Sequence, residues 1–335
     1  MMSSRARRGV RIAGVLVTAL ALAACSSTGG AQTQTTAASQ PAGGGGTSGT
    51  PEFTIAMVTH ETPGDTFWDK IKSGANAAAA RYNIELKYSN DPQAAAQAQL
   101  IQTAVDSKVD GIATTLVTPD ALSGAVKAAT DAGIPLVGFN SGISEYKELG
   151  ALMYFGSDET IAGNTVGEKI TEAGAKHPLC VIQAEGSVAL EARCAGVKDK
   201  APNTENLQVN GADIASVTST IQAKLAQDPT IDYVVTLGAP IAVAALQSKQ
   251  QANSSAKVVT FDLNTEAIKA IQDGGIEFAV DQQPYLQGYL SVESLYLYLT
   301  NGNDIGGGQA VLTGPSIVDK SNIDAIAKYA ANNTR

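Results

Sequence analysis

The sequence predicts a two-lobed α/β protein in which each lobe is a parallel sheet flanked by helices. Two observations predict it. From residue 52 onward, short runs rich in β-branched and aromatic residues alternate with longer amphipathic runs, the pattern of parallel strands covered on both faces. The alternation continues past the length of one typical domain, and residues 51–335 suit two lobes of ordinary size.

In the first lobe, strands are expected at 53–58, 84–88, 111–116 and 136–139, with helices at 67–82, 92–107 and 120–132. In the second of these helices Ala98, Ile101 and Val105 share an inward face, while Ala95, Gln99, Gln102 and Asp106 face water. Gly133 after Ala132, followed by Pro135, stops the third helix. The alternation resumes with strands at 152–155, 179–183, 207–209, 233–237, 257–261 and 278–280. Helices at 158–175, 189–200, 214–227, 241–250 and 266–273 lie between them. A long helix at 285–299, a glycine-rich turn at 306–308 and a short strand at 310–312 follow. In open parallel sheets ligands bind beyond the carboxyl ends of the strands. Two facing lobes therefore place a site in the cleft between them.

The first fifty residues carry an address. Arg5, Arg7, Arg8 and Arg11 precede an apolar run at 12–24, too short to span a bilayer and suited to a signal peptide over residues 1–24. The run ends Leu22-Ala23-Ala24-Cys25, which resembles the lipobox of bacterial lipoproteins and implies acylation of Cys25. Residues 25–50 are almost wholly Ser, Thr, Gly, Gln, Ala and Pro after the cysteine, a tether without an apolar period. The expected protein is extracytoplasmic and anchored by an N-terminal lipid.

Without the four signal arginines the formal net charge falls from −9 to −13. That acidity argues against nucleic acid and against contact with anionic membranes other than through the anchor. Cys180 and Cys194 remain once Cys25 is accounted for. An even count in an oxidising compartment favours a disulfide, with two buried free thiols as the alternative. Their spacing fits no common metal motif, His60 and His177 are the only histidines, and no metal or cofactor is implied.

Several segments, in order, carry a resemblance: 53–58 with Gly64-Asp65-Thr66-Phe67-Trp68, Asp110-Gly111-Ile112-Ala113, and Gly133-Ile134-Pro135 through Phe139-Asn140. Gly156-Ser157-Asp158-Glu159, Arg193-Cys194-Ala195-Gly196, Phe261-Asp262 and Asp281-Gln282-Gln283-Pro284 follow. Together they resemble the sugar-binding branch of the periplasmic-binding-protein type 1 family, the ribose-binding type. The resemblance implies lobes at 51–154 plus 283–311 and at 155–282 plus 312–335, joined by a three-stranded hinge. It also implies a sugar or sugar-alcohol ligand, a monomer, and a membrane permease of an ABC importer as partner.

Each position suits that role. Phe67 and Trp68 offer flat faces to a sugar's C–H side, with core packing as the plainer alternative. Asp65 either contacts ligand or only caps the helix. His60, on the same loop, contacts ligand or stabilises the loop. Arg193 is the family's ligand-binding arginine unless an acid claims its fork. Asp262 accepts hydroxyl protons, and Gln282 stands at the crossover between lobes. Asn140 replaces the family's acidic residue and Ser141 the arginine after it, which removes a charge-assisted bond and a donor fork. The family's second-lobe asparagine falls at Gly238, leaving Gln183, Glu185 or Asp281 as possible substitutes.

An enzyme is the first rival, and no nucleophile elbow, phosphate loop or zinc spacing supports it. A glycosidase pair drawn from Asp65, Asp262 and Glu185 would need one raised pKa. A repressor's sensing core would need a DNA-binding segment where the lipobox stands. A receptor that presents bound ligand to a signalling partner is the surviving alternative to import.

Overall fold

The computed structural model describes residues 52–335. The expected signal peptide, Cys25 and the whole tether lie outside the described residues. The first sheet contains β1 (Phe53–Thr59), β2 (Ile84–Asn90), β3 (Gly111–Thr114), β4 (Leu136–Phe139) and β5 (Met153–Gly156). Its helices are α1 (Phe67–Tyr82), α2 (Ala94–Asp106), α3 (Pro119–Asp131) and the short α4 (Tyr146–Leu149). The second sheet contains β6 (Pro178–Ile182), β7 (Glu205–Gln208), β8 (Tyr233–Thr236), β9 (Lys257–Phe261) and β10 (Ile276–Asp281). Helices α5 (Glu159–Glu172), α6 (Val188–Lys200), α7 (Ile214–Gln227), α8 (Ala239–Gln251) and α9 (Thr265–Asp273) surround it. After α10 (Pro284–Asn301) the chain adds β11 (Val311–Leu312) to the first sheet, then β12 (Ser316–Asp319) and α11 (Ile323–Ala330) to the second lobe.

The two lobes repeat one topology. Strand orders are β11-β5-β4-β3-β1-β2 and β12-β10-β9-β8-β6-β7, all parallel except β12 against β10. Chain order reverses between β1 and β3, and again between β6 and β8, which opens a crevice at the carboxyl ends there. The central strands are apolar on both faces because helices cover both. In β1, Ile55 and Met57 pack in the cluster with α1 and α10, while Ala56 and Val58 pack in the cluster with α2 and α3.

Helices are exchanged at the crossovers. Although α10 follows second-lobe β10, it packs on α1 of the first lobe, and α5 follows first-lobe β5 yet packs on α6. Glycines allow both crossings. A Cβ on Gly74 would lie 2.0 Å from Tyr285 O, and one on Gly288 would lie 2.0 Å from Ile71 O. The matching values at Gly163 and Gly196 are 2.2 Å to Arg193 O and 2.6 Å to Thr160 O.

Two expectations need correction. The boundaries expected at 154/155 and 311/312 fall inside β5 and β11, so the first sheet keeps Phe155, Gly156 and Leu312. Helix α2 turns Ala98, Ile101 and Val105 onto the core as expected, and it also buries Gln97 and Ala104 beside Ile101. A polar residue holds the inward position because the Gln97 amide donates to Thr115 O at 2.8 Å and to Thr115 Oγ1 at 3.0 Å. The elements α4, β12 and α11 were not expected. The first two span only four residues each, too few to show a period.

Candidate functional site

A cavity of about 180 Å³ lies between the lobes, and His60, Asp65, Phe67, Trp68, Asn140, Arg193, Asp262 and Gln282 all line it. The lobes are closed on one another: the Val188 N–H of α6 donates to Val117 O of the first lobe at 3.3 Å.

The first-lobe wall is built at the start of α1. The Asp65 carboxylate accepts the Phe67 N–H at 3.0 Å in a turn just ahead of the helix, whose N-cap is Thr66. The Trp68 ring stands edge-on to both Phe67 (5.2 Å) and His60 (4.8 Å). Trp68 is 3% exposed, so it is at once core and wall. His60 Nδ1 shares a hydrogen bond with Thr115 Oγ1 at 2.8 Å. Burial, then the charge of Arg193, lowers the His60 pKa to about 4, so the imidazole is neutral at ordinary pH.

The two lobes present equivalent residues at equivalent strand ends. Asn140 after β4 and Asp262 after β9 both have left-handed backbone, at φ 65° and 64°. Each N–H is held by the neighbouring strand, at Phe155 O and Val280 O, 2.9 Å in both cases. Asn and Asp tolerate that conformation better than bulky residues, and it turns their side chains out of the sheet. Burial pushes the Asp262 carboxyl up to about 7, against the pull of Arg193.

Gln282 joins these halves at the hinge. Its Nε2 donates to Asp262 Oδ1 at 2.9 Å, and its Oε1 accepts from Asn140 Nδ2 (3.3 Å) and Gln287 Nε2 (2.9 Å). Gln287 Oε1 in turn accepts from Asn140 Nδ2 at 3.2 Å. All three crossovers meet at Gly314, where a Cβ would lie 2.9 Å from Gln282 Cα, 3.0 Å from Asp281 O and 3.0 Å from Ser157 Oγ.

Arg193 differs from the expectation of a free fork. Its Nε donates to Glu159 Oε2 at 2.5 Å and its Nη2 to Glu159 Oε1 at 3.1 Å, while Nη1 donates to Leu237 O at 3.2 Å. Both side chains are almost wholly buried, and the guanidinium lies 4.6 Å from the centre of the Phe261 ring. One N–H on each terminal nitrogen is left for the cavity. Burial pushes the Glu159 carboxyl up, against the pull of Arg193, and Glu159 keeps the guanidinium protonated.

A model of the periplasmic binding protein domain matches residues 55–304 of this chain. The chain belongs to the periplasmic binding protein family. Members of that family work outside the cytoplasm, and no helix among the described residues is long and apolar enough to cross a membrane. Among solved structures, this periplasmic binding protein is similar to a carbohydrate transporter from Acidothermus cellulolyticus in complex with myo-inositol. The two are 57% identical, with a TM-score of 0.84, over 85% of this chain and 100% of that one. It is 25% identical over 251 residues to the xylose/arabinose-binding protein XylF of Sulfolobus acidocaldarius, covering 69% of this chain. The match spans only 59% of that relative's length. Identity to the ribose import binding protein RbsB of Escherichia coli is 27% over 254 residues, 72% of this chain and 83% of the relative.

Sequence reasoning missed Glu159, Gln287 and the buried Lys70. Lys70 donates to Thr66 O at 3.3 Å, and burial lowers its pKa against the pull of Asp262 and Asp65. Glu159 lies in the Gly156-Ser157-Asp158-Glu159 segment, and its place in the first turn of α5 is the available signal. Nothing local marked Gln287. Of the substitutes offered for the absent asparagine, Glu185 is exposed and outside the cavity lining. Asp281 is claimed by Arg335 at 2.5 Å. His177 also lies away from the cavity, 2.7 Å from Thr230 Oγ1. Cys180 and Cys194 form a disulfide between β6 and α6.

Proposed function

We propose that the protein is an extracytoplasmic solute-binding protein that closes on one small neutral polyol or sugar and delivers it to the permease of an ABC importer. The composition of the closed cavity carries the reading. Phe67 and Trp68 offer apolar faces, and around them His60, Asn140, Arg193, Asp262 and Gln282 both donate and accept. Glu159 balances Arg193 inside the protein, so the arginine offers donors without requiring an anionic ligand, and the Asp262 carboxylate disfavours one. A ring of hydroxyls satisfies donors and acceptors together, as a buried polar wall requires. A relative that is 57% identical holds myo-inositol, which makes that cyclitol the first candidate.

In this reading the lobes open about the crossovers at Gly314, admit ligand, and close to expose a surface the permease distinguishes. Asp65 and Asp262 receive hydroxyl protons and cut no bond, so the protein is not an enzyme. An acylated Cys25 tethers a monomer to the membrane through residues 26–50. Micromolar affinity corresponds to about −8 kcal/mol, within reach of a few sugar hydrogen bonds plus aromatic stacking. The test is calorimetric titration of the full chain with myo-inositol, pentoses, hexoses and acyclic polyols. Saturable binding of one of them, lost in Asp262→Ala, supports the reading. A folded protein that ignores the whole panel overturns it.

A further inference from the structure

We infer that Gln183 is a ligand-binding, specificity-determining residue that takes the place of the absent second-lobe asparagine, a role its amide can fill because Gly211 and Gly238 leave room for it. The inference rests on the proposed binding of a polyhydroxylated ligand and names a recognition element within that site.

The topology puts Gln183 where a ligand residue belongs. Val58 pairs with Thr114 in the first sheet and Val181 with Thr236 in the second. His60 and Gln183 each stand two residues further along, so they are counterparts across the cleft, as Asn140 and Asp262 are. All four line the cavity.

The packing shows why the side chain reaches it. A Cβ on Gly211 would lie 3.0 Å from Gln183 Cβ and 3.1 Å from its Cγ, and a Cβ on Gly238 would lie 3.2 Å from Nε2. Neither glycine has left-handed backbone, and Gly238 is extended at φ −171°. Backbone conformation therefore does not require glycine at either place: at 211 a Cβ would meet the Gln183 carbonyl oxygen at 2.8 Å and crowd the stem of its side chain, and at 238 it would crowd the amide. The Gln183 backbone carbonyl accepts from Gly211 N–H at 3.0 Å, which anchors the turn. At the end of the side chain, Oε1 is buried without a partner. A buried acceptor left unmade is costly, and a ligand hydroxyl donating into it removes the cost. An asparagine at 238 would compete with this amide for the same volume.

The test is titration of the wild-type full chain and of Gln183→Met, which keeps the length and removes the hydrogen bonds, against myo-inositol and the rest of the polyol panel. Affinity for the selected ligand falls about ten- to hundredfold in Gln183→Met, while the ligand-free melting temperature holds or rises, whereas loss of a purely structural residue would lower it. Among monodeoxy forms of that ligand, one binds wild type and Gln183→Met equally, because the hydroxyl that Gln183 reads is already gone. Gly238→Asn weakens binding in wild type and not in a Gln183→Ala background. Wild-type binding that Gln183→Met leaves intact overturns this assignment alone. A wild type that binds nothing in the panel overturns the proposed function and this assignment with it.

Discussion

Replacing Glu159 by glutamine tests the least visible part of the site. Arg193 and Glu159 are each 3% exposed, and the carboxylate takes two of the arginine's donors, at 2.5 and 3.1 Å. Removing one member of a buried pair costs about 3–5 kcal/mol, because the survivor keeps its desolvation penalty without its counter-charge. Glutamine retains one acceptor, so a cost near the lower end, about 3 kcal/mol, is expected. For a protein of this size about 2 °C of melting temperature is lost per kcal/mol, or about 6 °C in total. Differential scanning calorimetry of the ligand-free protein measures the drop. Titration of the ligand measures a second effect, since a guanidinium released from its fork no longer holds two N–H groups toward the cavity. Losing one charge-assisted bond, worth about 1.5–3 kcal/mol, weakens binding about ten- to hundredfold. A melting temperature within 1–2 °C of wild type, with affinity intact, would refute the claim that Glu159 holds Arg193 in place. Glu159→Asp, shorter by one methylene and still charged, is expected to fall between the two.

Other perturbations follow from the same geometry. Burial raises the Asp262 pKa from 3.8 to about 7 in the folded protein, so the native state keeps the extra proton across that window. The stability it contributes is full below about 3.8 and is lost as pH rises through about 7. At about 1.4 kcal/mol per pH unit over roughly three units, the loss approaches 4 kcal/mol. Asp262→Asn should flatten the ligand-free melting profile between pH 4 and 8, and parallel profiles would show that the carboxylate is hydrated in the folded protein. Gly74→Ala and Gly288→Ala each place a methyl 2.0 Å from a backbone carbonyl and should cost at least about 1–3 kcal/mol in urea unfolding. Gly124→Ala in α3, where a Cβ meets nothing within 4 Å, should instead stabilise by up to about 1 kcal/mol. Equal effects at the three positions would contradict the close helix crossing.

The alternation of strand and helix was legible because both faces of each sheet are buried, so periodicity alone marks the elements. The cavity residues were legible for a related reason: ligands in parallel sheets lie beyond strand carboxyl ends, and His60, Asn140 and Asp262 each follow such a strand. Less was visible inside α2, where the apolar spacing marks Ala98, Ile101 and Val105 but gives no sign that Gln97 is buried beside them by its bonds to Thr115.

What the sequence by itself determined is therefore the order of elements, the doubling into lobes and the residues brought to one end of each sheet. Tertiary structure alone decided which polar groups face one another. Arg193 and Glu159 are 34 residues apart, and Asn140 and Gln287 are 147 apart. Their pairing depends on the exchange of α5 and α10 between lobes. Whether Arg193 has a free fork, and whether Gly238 is an empty place or a seat for Gln183, turns on a few ångströms of side-chain volume. Those distances arise from packing between distant segments, which no local pattern of residues encodes.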